Sequence, residues 1–479
     1  MSAGSAQMLW TSREAIAATS GQCPVDWQAV GVSIDSRSIK TGDLFVALQG
    51  PNHDGHDFIE SALERDAAAA MVHAKPGTVV SDSPLLVVKD TMTALESLGA
   101  ASRDRTSAKI IAVTGSVGKT GIKEALRFVL AQQGITHASV GSFNNHWGVP
   151  LSLARMAKDT AYGIFEIGMN HPGEITPLSG LVRPHVAIIT TVESVHSKFF
   201  KSTEEIAQAK AEIFSGVMPG GIAVLNRDNA YFYLLSEAAQ SHGVDKIISF
   251  GKHERADVRL LNASLSPGHS IAMSEINGRP IPFRIGIPGQ HWVMNSLCVL
   301  AGVLAAGGNI EQAAFALADM HPPKGRGEII QMSVAASGGD ETLIVIDESY
   351  NASPVSMKAA LEVLGRHQPT ANGRRIAVLG DMLELGAQSV DSHTGLLAAI
   401  EENNIDLVFI AGSEMAHLAK ALPKSLSGGH APNSEALAPL VVSAVKSGDI
   451  MTVKGSAGSR MSLIIDALGA RFHQQREGD

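Results

Sequence analysis

Cysteine is almost missing from this sequence: 479 residues hold two, Cys23 and Cys298, far apart and without zinc-type spacing. That excludes a disulfide framework and a thiolate metal site, and it makes a reducing, cytoplasmic setting the expectation. Aromatic residues are scarce, at 5%. No apolar run reaches the roughly 18 residues that would span a bilayer. The first ten residues lack the basic start and long apolar stretch of a secretory signal, so neither a transmembrane segment nor a leader is expected. Positive charge is not in excess either. Lys and Arg number 38 against 47 Asp and Glu, a net charge of −9, with a pI near 6.1. Nucleic acid is thereby excluded as the main partner, while a local basic pocket for an anionic small molecule stays open.

What is present is glycine, 47 residues of it, and a hydrophobic share of 45%. Many tight strand-to-helix turns suit an α/β protein. The length fits roughly three domains of ordinary size. Three blocks are expected, over residues 1–88, 89–321 and 322–479. In the first, short extended runs at 30–34, 44–48, 69–72 and 85–88 alternate with Gly, Asp and Pro turns. The second has a helical stretch at 91–102, a β-branched run at 110–113, and an amphipathic stretch at 120–133 with Gly134 in the helix-stopping position. Later runs at 162–167, 186–192, 222–225 and 247–250 alternate with helical stretches, which indicates a mostly parallel, helix-covered sheet. Residues 257–288 look more antiparallel. The third block, with runs at 343–347, 376–380, 407–412 and 450–453, reads as Rossmann-like.

The run at 110–120 is strand, glycine turn, helix. Thr114, Gly115, Ser116, Val117 and Gly118 form the turn, and Lys119 and Thr120 open the helix. Gly115 and Gly118 let backbone N–H groups face an anion, and the helix N-terminus adds its dipole. Lys119 can reach the β- and γ-phosphates of ATP, and the Thr120 hydroxyl can ligate Mg²⁺. The usual pattern has a glycine where Val113 stands, which argues against common kinases and GTPases. Glu166 ends the run at 162–167, a strand-end carboxylate suited to Mg²⁺ or equally to a helix cap. His196 follows the run at 186–192, where a lone loop histidine is usually a surface residue. Lys210 shares an apolar helix stripe with Ile206 and Phe214. It is therefore either buried and neutralised or snorkelling to water.

Taken together, the loop 114–120 without its first glycine, Glu166, His196 and the run Ala209-Lys-Ala-Glu-Ile-Phe-Ser-Gly216 resemble the central domain of the Mur ligase family. The resemblance covers nearly the whole chain. It implies three consecutive α/β domains: a UDP-substrate domain over 1–88, a P-loop ATPase domain over 89–321, and a Rossmann-like ligase domain over 322–479. It further implies that Thr120 and Glu166 hold one Mg²⁺ while His196 and a carbamylated Lys210 hold a second. Asn295 would contact adenine, and Arg326, in Lys324-Gly-Arg-Gly-Glu328, would reach the ATP phosphates from the third domain. Ser36, Arg37, Asn52 and His53 match the uridine-nucleotide pocket, and Asn144 and Asn145 match a substrate loop between domains.

Asp347-Glu-Ser-Tyr-Asn-Ala, with Tyr350 and Asn351, together with the runs 380–386 and 453–461, is similar to the family branch that adds a dipeptide. Glu348 departs mildly from that branch. The reaction implied is joining D-alanyl-D-alanine to UDP-N-acetylmuramoyl-tripeptide through an acyl phosphate, a step in peptidoglycan precursor synthesis. Lys119, Glu166, His196, Lys210 and Lys454 would be its catalytic residues, and a monomer is expected. Other Mur-type ligases and folylpolyglutamate synthetase are the alternatives within the fold, and a non-catalytic nucleotide-binding regulator is the alternative outside enzymes.

Overall fold

A computed structural model describes residues 7–74, 83–194, 199–334, 342–370 and 372–474. Among these residues the strands fall into three successive larger sheets, with a two-stranded pair near the start. The α/β reading of the sequence therefore holds. The first sheet is four parallel strands, Gly31–Ser33, Asp43–Val46, Ala69–Val72 and Leu85–Val87, paired in chain order. Trp10 and Arg155 tie it to the middle of the molecule. The Trp10 Nε1–H donates to Ala154 O at 2.8 Å, and the Arg155 Nε–H to Val32 O at 2.6 Å.

The second sheet is built around the strand Lys109–Thr114. Tyr162–Glu166 pairs parallel on one side and Val186–Ile189 on the other, so consecutive connections leave in opposite directions. A crevice opens at the carboxyl ends where the strand order reverses in this way. Every residue of 110–114 is buried. That is what a strand covered by helices on both faces requires of its β-branched and alanine side chains. Val258–Leu265, Ser270–Ile276 and Arg279–Ile285 extend the sheet, the last two joined antiparallel, as expected for residues 257–288. The helix Gln290–Ala306 returns across it with twelve buried residues.

In the third sheet Leu407–Ala411, Arg375–Gly380, Ile450–Lys454 and Thr342–Glu348 run parallel. Ser427–Ala431 and Glu328–Ser333 extend it, the latter antiparallel, and both escaped the sequence reading. Two details of that reading need correction. Gly134 is not the left-handed cap of the helix Lys119–Ala131. The helix ends at Gln132 in a right-handed conformation, and Gly134 has no positive φ. The helix carrying the stripe of Ile206, Lys210 and Phe214 is α-helical only over Thr203–Ala211 and tightens into a 3₁₀ segment at Glu212–Gly216, where Phe214 lies. Among the described residues no helix is long and apolar enough to cross a membrane.

His185 clips the second sheet at its base. Its backbone N–H donates to Ile110 O at 2.8 Å while its Nδ1 accepts the Ile110 N–H at 3.0 Å. A ring nitrogen that accepts is unprotonated. Burial, helped by the Arg103 and Lys109 charges, pushes the His185 pKa down to about 4. With an unfolded value near ~6.5, this depressed group adds stability that is complete above about pH 6.5 and drains away as pH falls towards 4. Replacing His185 with Gln should keep an acceptor yet remove one titrating group. The urea midpoint should then fall less steeply between pH 6.5 and 4 than in the parent, and an unchanged slope would refute the assignment.

Candidate active site

The loop after Lys109–Thr114 is shaped by two glycines and one threonine. Gly115 has φ 147°, and a Cβ there would overlap the Thr190 hydroxyl. Gly118 has φ 85° and forms the cap of the helix Lys119–Ala131. Positive φ at both points is why other side chains are disfavoured here. Neighbouring backbone then locks the loop. The Thr190 hydroxyl donates to Val117 O at 2.6 Å, Ser116 N–H donates to Thr191 O at 2.8 Å, and Ser116 Oγ bonds the backbone of Glu193. Lys119 folds back, with Nζ 2.8 Å from Gly115 O. Burial lowers its pKa, the Glu166 carboxylate opposes that, and Arg326 adds repulsion. Such an ammonium gains from an incoming polyanion.

Thr120 and Glu166 meet at the loop's edge. The Thr120 hydroxyl donates to Glu166 Oε2 at 2.8 Å and accepts from Arg326 Nη2 at 3.1 Å. The other carboxylate oxygen, Glu166 Oε1, accepts from Asn144 Nδ2 at 2.7 Å. A hydroxyl and a carboxylate oxygen side by side, with a cation already against the hydroxyl, are hard donors suited to Mg²⁺. Among the described residues no three His, Cys, Asp or Glu side chains converge on one point. These two residues would therefore share a metal with phosphate oxygens rather than cage it, the usual habit of Mg²⁺.

The loop opens into a cavity of about 1310 Å³. Ser116 to Thr120, Asn144, Asn145, Glu166 and Asn295 line it from the second sheet's unit, and Arg326, Tyr350, Asn351 and Lys454 from the third. Asn295 lies over Gly118, whose added Cβ would stand 3.1 Å from its Oδ1. The Arg326 guanidinium stacks 4.2 Å above the Tyr350 ring, and the Tyr350 hydroxyl bonds Ser142. Lys454 is buried; its Nζ donates to Glu348 Oε2 at 3.1 Å and Asn351 O at 2.9 Å. An apolar end is formed by Val355, Leu383, Leu385 and Ala457. Its loop is held by Met415 N–H on Asp381, Met382 N–H on His393 Nε2, and Leu383 N–H on Ser456 Oγ.

Other predicted residues lie elsewhere. Thr114 and Gly115 do not line the cavity, and the Thr114 hydroxyl is buried without a hydrogen-bond partner among the described residues. Asp347 Oδ1 accepts the Ser349 N–H at 3.0 Å and shapes the turn rather than lining the cavity. Ser36, Arg37, Asn52 and His53 do not line it either. Arg37 pairs with Asp35, and Asn52 and His53 are exposed in a turn closed by Gly50 N–H on His53 O. His196 lies outside the described residues. Sequence reasoning missed His291, a cavity-lining histidine with an unpartnered Nδ1, and Glu348. It also passed over Lys123, which carried the same signal as Lys210, a lysine on an apolar helix face.

Lys210 is 2% exposed, and no hydrogen bond or ion pair of its ammonium group is found among the described residues. Burial, with Lys119 nearby, holds its pKa well below the usual lysine value.

A phosphate loop with a carboxylate–hydroxyl pair, faced across a cavity by an arginine and a lysine from a Rossmann-like unit, defines a P-loop nucleotide-using protein of three α/β units. Family comparisons agree at each unit. Residues 28–103 match the Mur ligase family, catalytic domain; residues 113–303 the Mur ligase middle domain; and residues 325–457 the Mur ligase, glutamate ligase domain. The chain is similar to UDP-N-acetylmuramoyl-tripeptide–D-alanyl-D-alanine ligase of Rickettsia prowazekii, 35% identical over 96% of this chain and 99% of that one. Its counterpart in Escherichia coli is 33% identical over 91% and 93%. Among solved structures, MurF of Acinetobacter baumannii superposes with a TM-score of 0.81 at 29% identity, over 96% of this chain and 98% of that one. MurF ligase of Thermotoga maritima in complex with ADP gives 0.74 at 26%, over 92% and 97%. The chain belongs to the Mur ligase family.

A buried lysine with a depressed pKa makes a sharp stability prediction. The unfolded state binds the proton that the folded state sheds, so this group's cost shrinks as pH rises towards ~10.4. Lys210→Met should raise the thermal midpoint more at pH 7 than at pH 9.5, measured by calorimetry, and an equal rise at both would refute the assignment.

Proposed function

We propose that this chain is an ATP-dependent ligase that joins D-alanyl-D-alanine to UDP-N-acetylmuramoyl-tripeptide, releasing ADP and phosphate in the cytoplasm. The observation that carries the reading is the facing of the phosphate loop and its Thr120–Glu166 pair by Arg326 and Lys454 across one cavity. End-to-end similarity to ligases bearing that name narrows the substrates.

The terminal carboxylate of the tripeptide attacks the γ-phosphorus of ATP, the bond to the β-γ bridging oxygen breaks, and ADP leaves an acyl phosphate. The amine of D-alanyl-D-alanine then attacks the acyl carbon, losing a proton as phosphate departs and the amide forms. Phosphoryl transfer asks a protein mainly to position groups and neutralise charge. Lys119 is set to follow the β- and γ-phosphates and Arg326 to meet the γ-phosphate from the opposite wall. Tyr350 keeps the Arg326 plane fixed by stacking. Lys454, oriented by Glu348 and Asn351 O, serves the acyl phosphate. The cavity's width across two units lets closure keep water from that intermediate.

Thr120 and Glu166 would hold one Mg²⁺, which supplies charge neutralisation at the phosphates. His196 and Lys210 would hold a second, with Lys210 carbamylated. A lysine amine kept neutral by burial is the form that adds CO₂, and the product is an oxygen donor in an otherwise apolar setting. Asn295 would contact the adenine. The first sheet's unit, with Ser36, Arg37, Asn52 and His53, would seat the uridine nucleotide, Asn144 and Asn145 would meet the substrate between units, and Tyr350 and Asn351 would border the acceptor on the turn that Asp347 holds. The working form would be a monomer.

ADP release should require both UDP-N-acetylmuramoyl-tripeptide and D-alanyl-D-alanine, and Lys119→Ala should lower it by at least ~10³-fold. Equal release with a single amino acid or glutamate in place of the dipeptide would assign another ligase of this fold. Nucleotide binding without any ADP would assign a regulator.

A further inference from the structure

Lys123 sits one turn beyond Lys119 and Thr120 on the helix Lys119–Ala131, and its side chain is wholly buried, at 0% exposure. Lysine is rarely buried in this way unless every donor is met. Here all three are: Nζ donates to Ser139 O at 2.6 Å and Gly141 O at 2.8 Å, and pairs with the Glu124 carboxylate. The two carbonyls belong to the stretch that leads into Ser142, Asn144 and Asn145. Lys123 itself does not line the cavity.

The hydrogen bonds close a circuit. From Lys123 it passes to residues 139–141, then to Asn144, whose Nδ2–H donates to Glu166 Oε1 and whose O accepts the Gly168 N–H at 2.8 Å. Glu166 N–H is held in turn by Ser139 Oγ at 3.3 Å. From Glu166 Oε2 the circuit returns to the same helix at Thr120. A second branch leaves the loop at Ser142 for Tyr350, the platform under Arg326.

We propose that Lys123 is a positioning residue for the ligase reaction: it fixes the loop 139–145 against the helix so that Asn144 holds Glu166 in register with Thr120. The inference rests on the proposed function only for the reaction assayed, because its main readout is nucleotide binding. A lysine that merely filled space would affect stability and nothing specific to the metal. Loss of a group that orients a ligand-bearing carboxylate instead weakens the metal term, by about 10-fold or more.

The test uses the full-length protein and a fluorescent ATP analogue, titrated with and without Mg²⁺. Lys123→Met should leave Mg²⁺-free affinity within about 2-fold of the parent and cut the Mg²⁺-dependent gain by about 10-fold. The Mg²⁺ concentration for half-maximal ADP release should rise in proportion. Asn144→Ala should reproduce the effect, and the double variant should show no further shift, since both act on one carboxylate. Lys123→Gln, which keeps two donors on a shorter arm, should shift the same way by less, and it carries the test should Lys123→Met fail to fold. A lowered melting temperature with an unchanged Mg²⁺ response in Lys123→Met or Lys123→Gln overturns the proposal, as do additive effects in the double variant. Parent protein that binds Mg²⁺–ATP yet ignores D-alanyl-D-alanine defeats the proposed reaction alone and leaves the Lys123 comparison intact.

Discussion

The hydroxyl of Thr120 and the carboxylate of Glu166 meet because of strand order. Lys109–Thr114 and Tyr162–Glu166 are parallel neighbours in register, Val113 opposite Glu166, so the first strand's helix starts where the second strand's last side chain ends. Everything else at the site is arranged around that meeting. The parallel neighbour on the other side, Val186–Ile189, delivers Thr190 to the loop backbone. Asn144 reaches the far oxygen of Glu166, and Arg326 approaches the near side of Thr120 from a separate sheet. Slipping one of these strands by a single residue would turn Glu166 away from the crevice, because side chains alternate between faces.

The division of labour between units follows from what each can supply. The second sheet's unit offers backbone amides, a helix terminus and Lys119, which suit phosphate, and the Thr120–Glu166 pair, which suits a cation. Cations that meet transferred charge from the opposite wall, Arg326 and Lys454, come from the third unit, each braced by a neighbour in that unit. Neither wall is complete alone. A reaction that needs both therefore depends on the two units being apposed, as Arg326 and Thr120 are here.

Much of the fold was readable because buried parallel strands need runs of Val, Ile, Leu and Ala, and the runs at 110–113, 162–167, 222–225, 376–380 and 450–453 are of that kind. Shorter or more polar strands were not. Thr136–Ala138 is short and half polar, Ser427–Ala431 is Ser-Gly-Gly-His-Ala, and Glu328–Ser333 alternates exposed and buried residues behind a proline-rich approach. Gly134 looked like a helix stop by position, but the chain leaves the helix without a left-handed residue. At the site, the strand–turn–helix setting of the loop and the strand-end place of Glu166 were legible from residue type and place, whereas Lys210 was left between burial and snorkelling and is buried. Lys123 carried the same apolar-face signal, but its role was not legible, since that role lies in two backbone carbonyls sixteen and eighteen residues away. The resemblance placed Asp347 at the site, whereas its carboxylate serves a turn.

The phosphate loop has a bearing on how the protein could evade an inhibitor. A glycine turn into a helix N-terminus offers an anion peptide N–H groups, which no codon change removes. The residues that shape it are pinned as glycines: Gly115 by Thr190, Gly118 by its φ and by Asn295. Resistance mutations against a compound resting there have few places to arise. A compound anchored on Val355, Leu383 or Ala457, at the apolar end of the same cavity, would face ordinary side chains that can be exchanged at small cost.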